Sequence, residues 1–419
     1  MEKSCLVIFT DSYPYQRIKE DSFLEPELEI LREEFPGVVL VPAYATGEPR
    51  ALSVGVTADT GLWRADYSGA KLGVVGKTIS GAFRAEFWDE LRRSRIIWRY
   101  PLAVARLAVY VRRSIGVRRW TLGLLPQMPP DCAILLYAYW MTAAATGIAM
   151  LRGVDARVRT VSRVHGGDLY LERHQPPYLP MREQTIAGLD GVLTVSAQGR
   201  RYLLDRHPLM AAKVHTSRLG IKDPGFRNQA SEDGVFRVVS CSFVQPVKRV
   251  PRIRELMFAI GRRMPERKLE WTHLGGGTGL TDLVGDGAAG PPNVTCRFPG
   301  VLPSDEVMSY YRRNPVDCFV NWSESEGLPV SIMEAMACGI PILAPAVGGI
   351  PEAVDESNGW LIGKDSEVES VAATVATCDW VAKRSVSRAK WESMFDSRRN
   401  SRALVEILRG IARAPRVAG

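Results

Sequence analysis

A chain of 419 residues, 46% hydrophobic and 24% charged, has the make-up of a soluble globular protein long enough for two domains. Its longest apolar stretches are interrupted by arginine, which excludes a membrane span, and its seven cysteines lie apart with no C-x-x-C pair, which argues against a zinc site or a disulfide framework. A net charge of +8 points to anionic partners, whether nucleotide phosphate, nucleic acid or acidic lipid.

The opening segment MEKSCLVIFT reads as a first buried strand rather than a leader. Ser22, with Glu25 three residues on, forms the pattern of a capping box, and Leu24, Leu28 and Leu31 give the helix that follows one apolar face. VVLVPAY is the next strand. Between Arg84 and Arg119 stand ten arginines against three acidic residues, interleaved with Phe87, Trp88, Trp98, Tyr100 and Tyr110. Pro101 and Gly116 divide this segment. Helical spacing predicts Leu102, Ala105, Val109 and Ile115 near one face and Arg106, Arg112 and Arg113 toward another. Two readings follow: a surface resting on an anionic membrane, or ordinary helices with solvated arginines and a core-facing apolar side.

Further strands are expected at CAILLYAYW, TVSRVHG and GVLTVS. The polar, turn-rich stretch from Asp223 to Gly234 reads as a linker. We therefore divide the chain into 1–228, 229–395 and a terminal helix at 396–419, whose leucine spacing suits packing back on the first domain.

From Phe236 onward short apolar runs alternate with helices: FRVVSC, a helix opened by Pro251, KLEWTHL, NVTCRF, a helix after Pro303, VDCFV, a helix after Pro329, IPILA and GWLI. That alternation predicts a doubly wound parallel α/β domain, in which ligands collect outside the carboxyl ends of the strands. In EGLPVSIMEAMACG a helix is expected from about Leu328 to Cys338, with Pro329 in its first turn and Gly339 as its stop. Its amino end, near Gly327, Leu328 and Val330, offers N–H groups to an anionic or hydroxyl-rich ligand. Glu326 precedes the helix and Glu334 lies about two turns along it, so the two carboxylates can meet opposite ends of an extended ligand. LGGGTGL ends another strand, where Gly275 and Gly276 either approach a ligand or form a plain tight turn.

EGLPVSIMEA, with Glu326 and Glu334, and the VGGIPEAV that follows resemble the E-x7-E motif of family-4 retaining glycosyltransferases of the GT-B fold, an α/β architecture of two doubly wound Rossmann-like domains facing across a cleft. The resemblance implies that Glu326 contacts the donor sugar and Glu334 the ribose of a sugar nucleotide. CSFVQPVKRV resembles the family's R-x4-K phosphate clamp: Lys248 matches, Phe243 stands where the arginine belongs, and Arg249 is the candidate to replace its charge. Gly275 and Gly276 fall where the family has a glycine-rich turn.

YPYQRIKEDSFLE and RVHGGDLYLERH resemble a polysaccharide-building branch of these enzymes. The first keeps Tyr13, Pro14, Tyr15, Phe23, Leu24 and Glu25 but lacks the loop glycines, leaving Arg17 or Lys19 to supply charge. The second implies that His165 donates to a sugar hydroxyl or phosphate beside Asp168; the alternative on the residues alone is a core histidine bonded to backbone and an aspartate that caps a turn. By resemblance the chain transfers a sugar with retention from a nucleoside-diphosphate-sugar to a carbohydrate or lipid-linked acceptor. It is expected to use no cofactor and, having no D-x-D pair, no metal, and to work in the cytoplasm or at the inner face of the membrane. A nucleotide-sugar epimerase and a non-catalytic partner subunit are the alternatives.

Overall fold

The computed structural model describes residues 4–15, 20–67, 80–285 and 290–414. Arg17 and Lys19 lie outside the described residues. Two compact units emerge: Met1–Ser217 together with Ser401–Gly419, and Arg218–Asn400.

In the first unit the apolar runs become an all-parallel sheet ordered β3-β2-β1-β4-β5-β6-β7. Its strands are β1 (Ser4–Thr10), β2 (Gly37–Pro42), β3 (Val56–Ala58), β4 (Ala133–Ala138), β5 (Val158–Val164), β6 (Gly191–Thr194) and β7 (Val214–Thr216). Near-continuous runs such as LVIF and AILLYA suit a sheet covered on both faces. Val7, Phe9, Leu136, Ala138 and Val164 meet in one core. The strand order reverses between β1 and β4, so the crevice for a ligand falls at the carboxyl ends of those strands.

Helix α1 (Asp21–Glu34) buries Leu24, Leu28 and Leu31 as its spacing predicts. The capping box does not form, because Ser22 lies inside the helix. The preceding residue, Glu20, turns its carboxylate to the backbone N–H groups of Asp11, Ser12 and Tyr13 instead. The arginine-rich segment contains α2 (Ala85–Arg93) and a single uninterrupted α3 (Pro101–Leu124). Pro101 opens α3 at a position where no N–H is needed. Gly116 does not break it; a Cβ there would fall 1.8 Å from Asp66 Oδ2, so glycine permits a close side approach.

The second unit is a six-stranded parallel sheet ordered β10-β9-β8-β11-β12-β13. It comprises β8 (Phe236–Cys241), β9 (Leu269–Leu274), β10 (Val294–Gly300), β11 (Cys318–Val320), β12 (Ile342–Pro345) and β13 (Gly359–Ile362). Val238, Trp271, Val320, Leu343 and Met257 share its core. Among its helices are α4 (Val250–Arg263), α5 (Ser304–Arg313) and α6 (Val330–Ala337). Here the order reverses between β8 and β11.

The stretch read as a linker packs within this unit: the Asn228 carboxamide donates to the carbonyls of Tyr311 and Asn314, and Ser231 N donates to Asp317; just before it, Ile221 bridges to Asp396. Helix α7 (Ser397–Arg413) contributes its residues from Ser401 onward to the first unit, where Leu404 and Leu408 are buried and Arg409 pairs with Glu34 of α1.

Candidate functional site

The two strands flanking the reversal in the second unit each deliver one charged group. The chain leaving β8 makes a short 3-10 turn, Pro246–Lys248, and the chain leaving β11 runs through Asn321 to Glu326. Lys248 Nζ donates to Glu326 Oε1 at 2.5 Å, and Ser323 Oγ donates to the same oxygen at 2.6 Å. Glu326 is only 6% exposed, and a cation and a hydroxyl lie against its carboxylate.

Helix α6 begins at Val330, later than the sequence suggests, because Pro329 is extended (ψ 125°) and acts as the cap. Its carbonyl accepts from the N–H groups of Ile332 and Met333. Gly327 and Leu328 therefore precede the helix, with Leu328 buried and the Gly327 carbonyl accepting from Gly349 N at 2.7 Å. Gly339 ends the segment with φ +74°, as its position predicts. Glu334, 7% exposed, accepts from Ser304 Oγ at 3.1 Å. Burial, with the neighbouring Glu334 charge as a smaller cause, pushes the Cys338 thiol up to about 12.

Arg249 caps α4 in a left-handed conformation (φ +46°), and its guanidinium is committed to Glu324, Asp365 and the Lys364 carbonyl. Phe243, in the place of the family arginine, is half exposed. The glycine turn after β9 packs on the loop after β8: Val244 N donates to Gly276 O, and a Cβ on Gly275 would lie 1.8 Å from Ser242 O. Beneath it His273 is fully buried and shares a 2.8 Å hydrogen bond with Ser240 Oγ.

Three participants were missed in the sequence. Ser323 and Ser304 reach their glutamates only through folding. Gly348 (φ +54°) abuts the Glu326 carbonyl so closely that a Cβ would fall 1.7 Å from it. The glycine pair in VGGIPEAV was its visible signal.

The first unit holds a separate cluster at the carboxyl ends of β1, β4 and β5. His165, buried, lies against Trp140 with ring centroids 4.0 Å apart and the rings tilted by 38°, and Trp140 Nε1 donates to Glu20. Neither imidazole nitrogen has a hydrogen-bond partner among the described residues. Asp168 accepts from the backbone N–H of His165 at 2.5 Å and of Met141 at 2.8 Å. Burial would raise its pKa, but His165 and Arg182 outweigh that and hold the carboxyl below its ordinary value. Asp168 thus fixes the strand end that carries His165.

Among the described residues no group of three His, Cys, Asp or Glu is arranged to hold a metal ion, and no helix is long and apolar enough to cross a membrane.

Residues 288–379, which include Ser304, Glu326, Glu334 and Gly348, match the family model described as glycosyl transferases group 1. The amylovoran biosynthesis glycosyltransferase AmsK of Erwinia amylovora is 27% identical over 298 residues, covering 66% of this chain and 70% of that protein. Among solved structures, the lipopolysaccharide outer core galactosyltransferase WaaB aligns with TM-score 0.65 at 11% identity, over 96% of this chain and 99% of that one. Anabaena Alr3699/HepE in complex with UDP aligns with TM-score 0.63 at 16% identity, over 97% and 100%. These agree with the two parallel sheets: the chain has the α/β GT-B fold, and residues 288–379 of its second unit match the group 1 glycosyl transferase model.

Proposed function

We propose that the chain is a retaining glycosyltransferase that moves a sugar from a nucleoside-diphosphate-sugar to a hydroxyl acceptor in the synthesis of a cell-surface polysaccharide or glycolipid. The observation that carries this reading is the Lys248–Glu326 pair at the reversal of the second sheet, with Glu334 on the helix beyond. A paired lysine and carboxylate, a second carboxylate and close-packed glycines are the groups that a diphosphate, its sugar and its ribose require. The Erwinia relative is named for amylovoran biosynthesis, and the Anabaena neighbour holds UDP.

In this reading Glu334 accepts from the ribose hydroxyls and Glu326 from a hydroxyl of the donor sugar, while the Lys248 ammonium meets the diphosphate. The acceptor oxygen forms a bond to the anomeric carbon on the face that the diphosphate leaves. The bond from that carbon to the phosphate oxygen breaks, and the acceptor proton passes to the departing phosphate. Charge growing on the diphosphate is met by Lys248 and backbone N–H groups, which makes the site independent of metal. Gly275 and Gly276 supply close backbone approach to the nucleotide. For the first unit we assign His165 the donation to a sugar hydroxyl or phosphate that the resemblance implies, with Asp168 as its positioning residue.

The reading is tested by a thermal-shift screen of the full chain against nucleoside diphosphates and their sugars, followed by NMR assignment of the product anomer. A ligand at about 100 times its dissociation constant stabilises by about 2.7 kcal/mol, enough to see. Stabilisation by a nucleoside diphosphate, lost in Glu334→Ala, and a product retaining the donor's anomeric configuration are expected. Absence of any such ligand would overturn the proposal, and binding without transfer to any acceptor would make the chain a non-catalytic partner.

A further inference from the structure

A cavity of about 510 Å³ opens at the carboxyl end of the first unit's sheet. Asp11 and Ala43, which follow β1 and β2, and Thr142, beyond β4, form one side. The other side is α3, contributing Leu102, Ala105, Arg106, Val109, Tyr110 and Arg113. The sequence places the apolar and basic residues of this helix on different faces; the structure puts Arg106 and Arg113 on the same cavity wall as Leu102, Ala105 and Val109. Arg112 turns away and pairs with Asp66 at 3.3 Å.

The two cavity arginines are unlike the other charges of the segment. Arg113 lies over the rings of Tyr67 and Tyr44, its carbon 4.8 and 5.8 Å from their centroids, and its buried Nε has no hydrogen-bond partner among the described residues. Arg106 is exposed, with no hydrogen bond or ion pair among the described residues. Two guanidinium groups, neither in an ion pair among the described residues and one of them oriented by aromatic rings, face the cavity beside an apolar wall and form an anion site, with the Asp11 carboxylate on the opposite side.

Leu102 belongs to that wall and is also 75% exposed, which joins the cavity to a surface strip. Along 83–102 the inward residues Phe87 and Ile97 pack in a small core with Leu107 and Val111. A second set faces outward: Phe83 is 81% exposed, and Trp88, Ile96, Trp98 and Tyr100 are exposed as well. Arg84, Arg92, Arg93, Arg95 and Arg99 are exposed among them. Burial in the fold explains the first set only. Aromatic and aliphatic side chains alternating with cations on one short surface match the head-group layer of an anionic bilayer in both polarity and charge.

We propose that the cavity binds the phosphate of a phosphate-bearing lipid on Arg106 and Arg113, and that the strip from Phe83 to Leu102 enters the head-group layer from which that lipid comes. The apolar wall then follows the lipid chain and Asp11 accepts from a hydroxyl of the head. That the lipid is the sugar acceptor rests on the transfer reading above; its binding does not.

The test is flotation of the full chain with phosphatidylcholine vesicles with and without phosphatidic acid, alongside UDP binding on the same samples. Vesicles with phosphatidic acid should bind the protein, and Arg106→Gln, which breaks no hydrogen bond or ion pair among the described residues, should weaken binding about fivefold, with R106Q/R113Q weakening it about tenfold or more. R118Q/R119Q, changed outside the cavity, should lose far less, and Trp98→Ser should weaken vesicle binding while leaving UDP binding intact. The proposal is overturned if Arg106→Gln binds as the parent does, if R118Q/R119Q loses as much as R106Q/R113Q, or if inorganic phosphate at matched concentration displaces the vesicles. Vesicle binding without UDP binding would instead remove the donor reading and leave this site standing.

Discussion

Lys248 and Glu326 are 78 positions apart in the chain, yet they close on each other at 2.5 Å because each follows one of the two strands where the order of the second sheet reverses. A buried carboxylate stripped of that partner loses the cation that faces it, while the Ser323 hydroxyl still donates to it. Lys248→Ala should therefore lower affinity for a nucleoside diphosphate about tenfold or more, the scale of one charge-assisted hydrogen bond. Phe243→Ala, which removes no charge, should cost far less. Calorimetric titration with UDP and GDP checks the order, and an equal effect of both changes would remove Lys248 from the site.

Glu334 and Glu326 should separate by readout. Glu334→Ala should weaken nucleotide binding, while Glu326→Ala should act mainly on turnover, since the ribose is unchanged in the transition state whereas charge develops on the donor sugar that Glu326 faces. Ser304→Ala, which loses a neutral donor to Glu334, should reproduce the first effect at about threefold to tenfold. Steady-state kinetics with calorimetry on the three variants decides; a Ser304→Ala protein that changed turnover alone would contradict the assignment.

With Lys248 and backbone N–H groups carrying the diphosphate charge, transfer should survive a chelator. Loss of activity in EDTA, restored by magnesium or manganese, would show that the site needs an ion that these residues do not replace.

What could be read from the chain beforehand was what is local. Long runs such as SCLVIFT and CAILLYAYW declared their strands, whereas β3 and β7, three residues each and at the two ends of the first sheet, had too few apolar positions to register. Helix α1 was visible in its leucines, but its start was misread because Glu20 is drawn to amides in the loop after β1, a contact no spacing rule contains. Glu326 and Glu334 stood out by motif. Their hydroxyl partners Ser323 and Ser304 did not, since Ser304 lies 30 residues from Glu334 and meets it only when α5 and α6 pack.

Gly348 offers a backbone test of the same site. Alanine there combines a left-handed φ of +54° with a Cβ driven to 1.7 Å from the Glu326 carbonyl, so the loop holding Glu326 must shift. Gly300 has a similar φ of +84° but open space around it. Gly300→Ala should cost about 1 kcal/mol from strain alone, and Gly348→Ala clearly more, with loss of nucleotide binding. Melting temperatures and UDP titration of both variants make the comparison; equal penalties would show that the close approach carries no constraint.

His273 gives the second unit a pH dependence whose direction is fixed by burial. Its ring lies under the glycine turn after β9, and burial lowers its pKa from 6.5 to about 4, with a backbone contact at Ser242 opposing only in part. The unfolded chain therefore takes up a proton near pH 6.5 while the folded protein resists until about pH 4. Folding stability from this residue is complete at neutral pH and falls as the pH drops through that window, by an amount on the order of 3 kcal/mol at most. His273→Asn keeps a polar atom near Ser240 Oγ but cannot titrate, so its unfolding midpoint should vary less between neutral pH and pH 4 than that of the parent chain. The chain's ten tryptophans, among them Trp271 buried 6.1 Å from the His273 ring, report unfolding by fluorescence. Identical pH profiles for the two proteins would mean that His273 protonates as readily folded as unfolded, and the close packing of the glycine turn over it would have to open in solution.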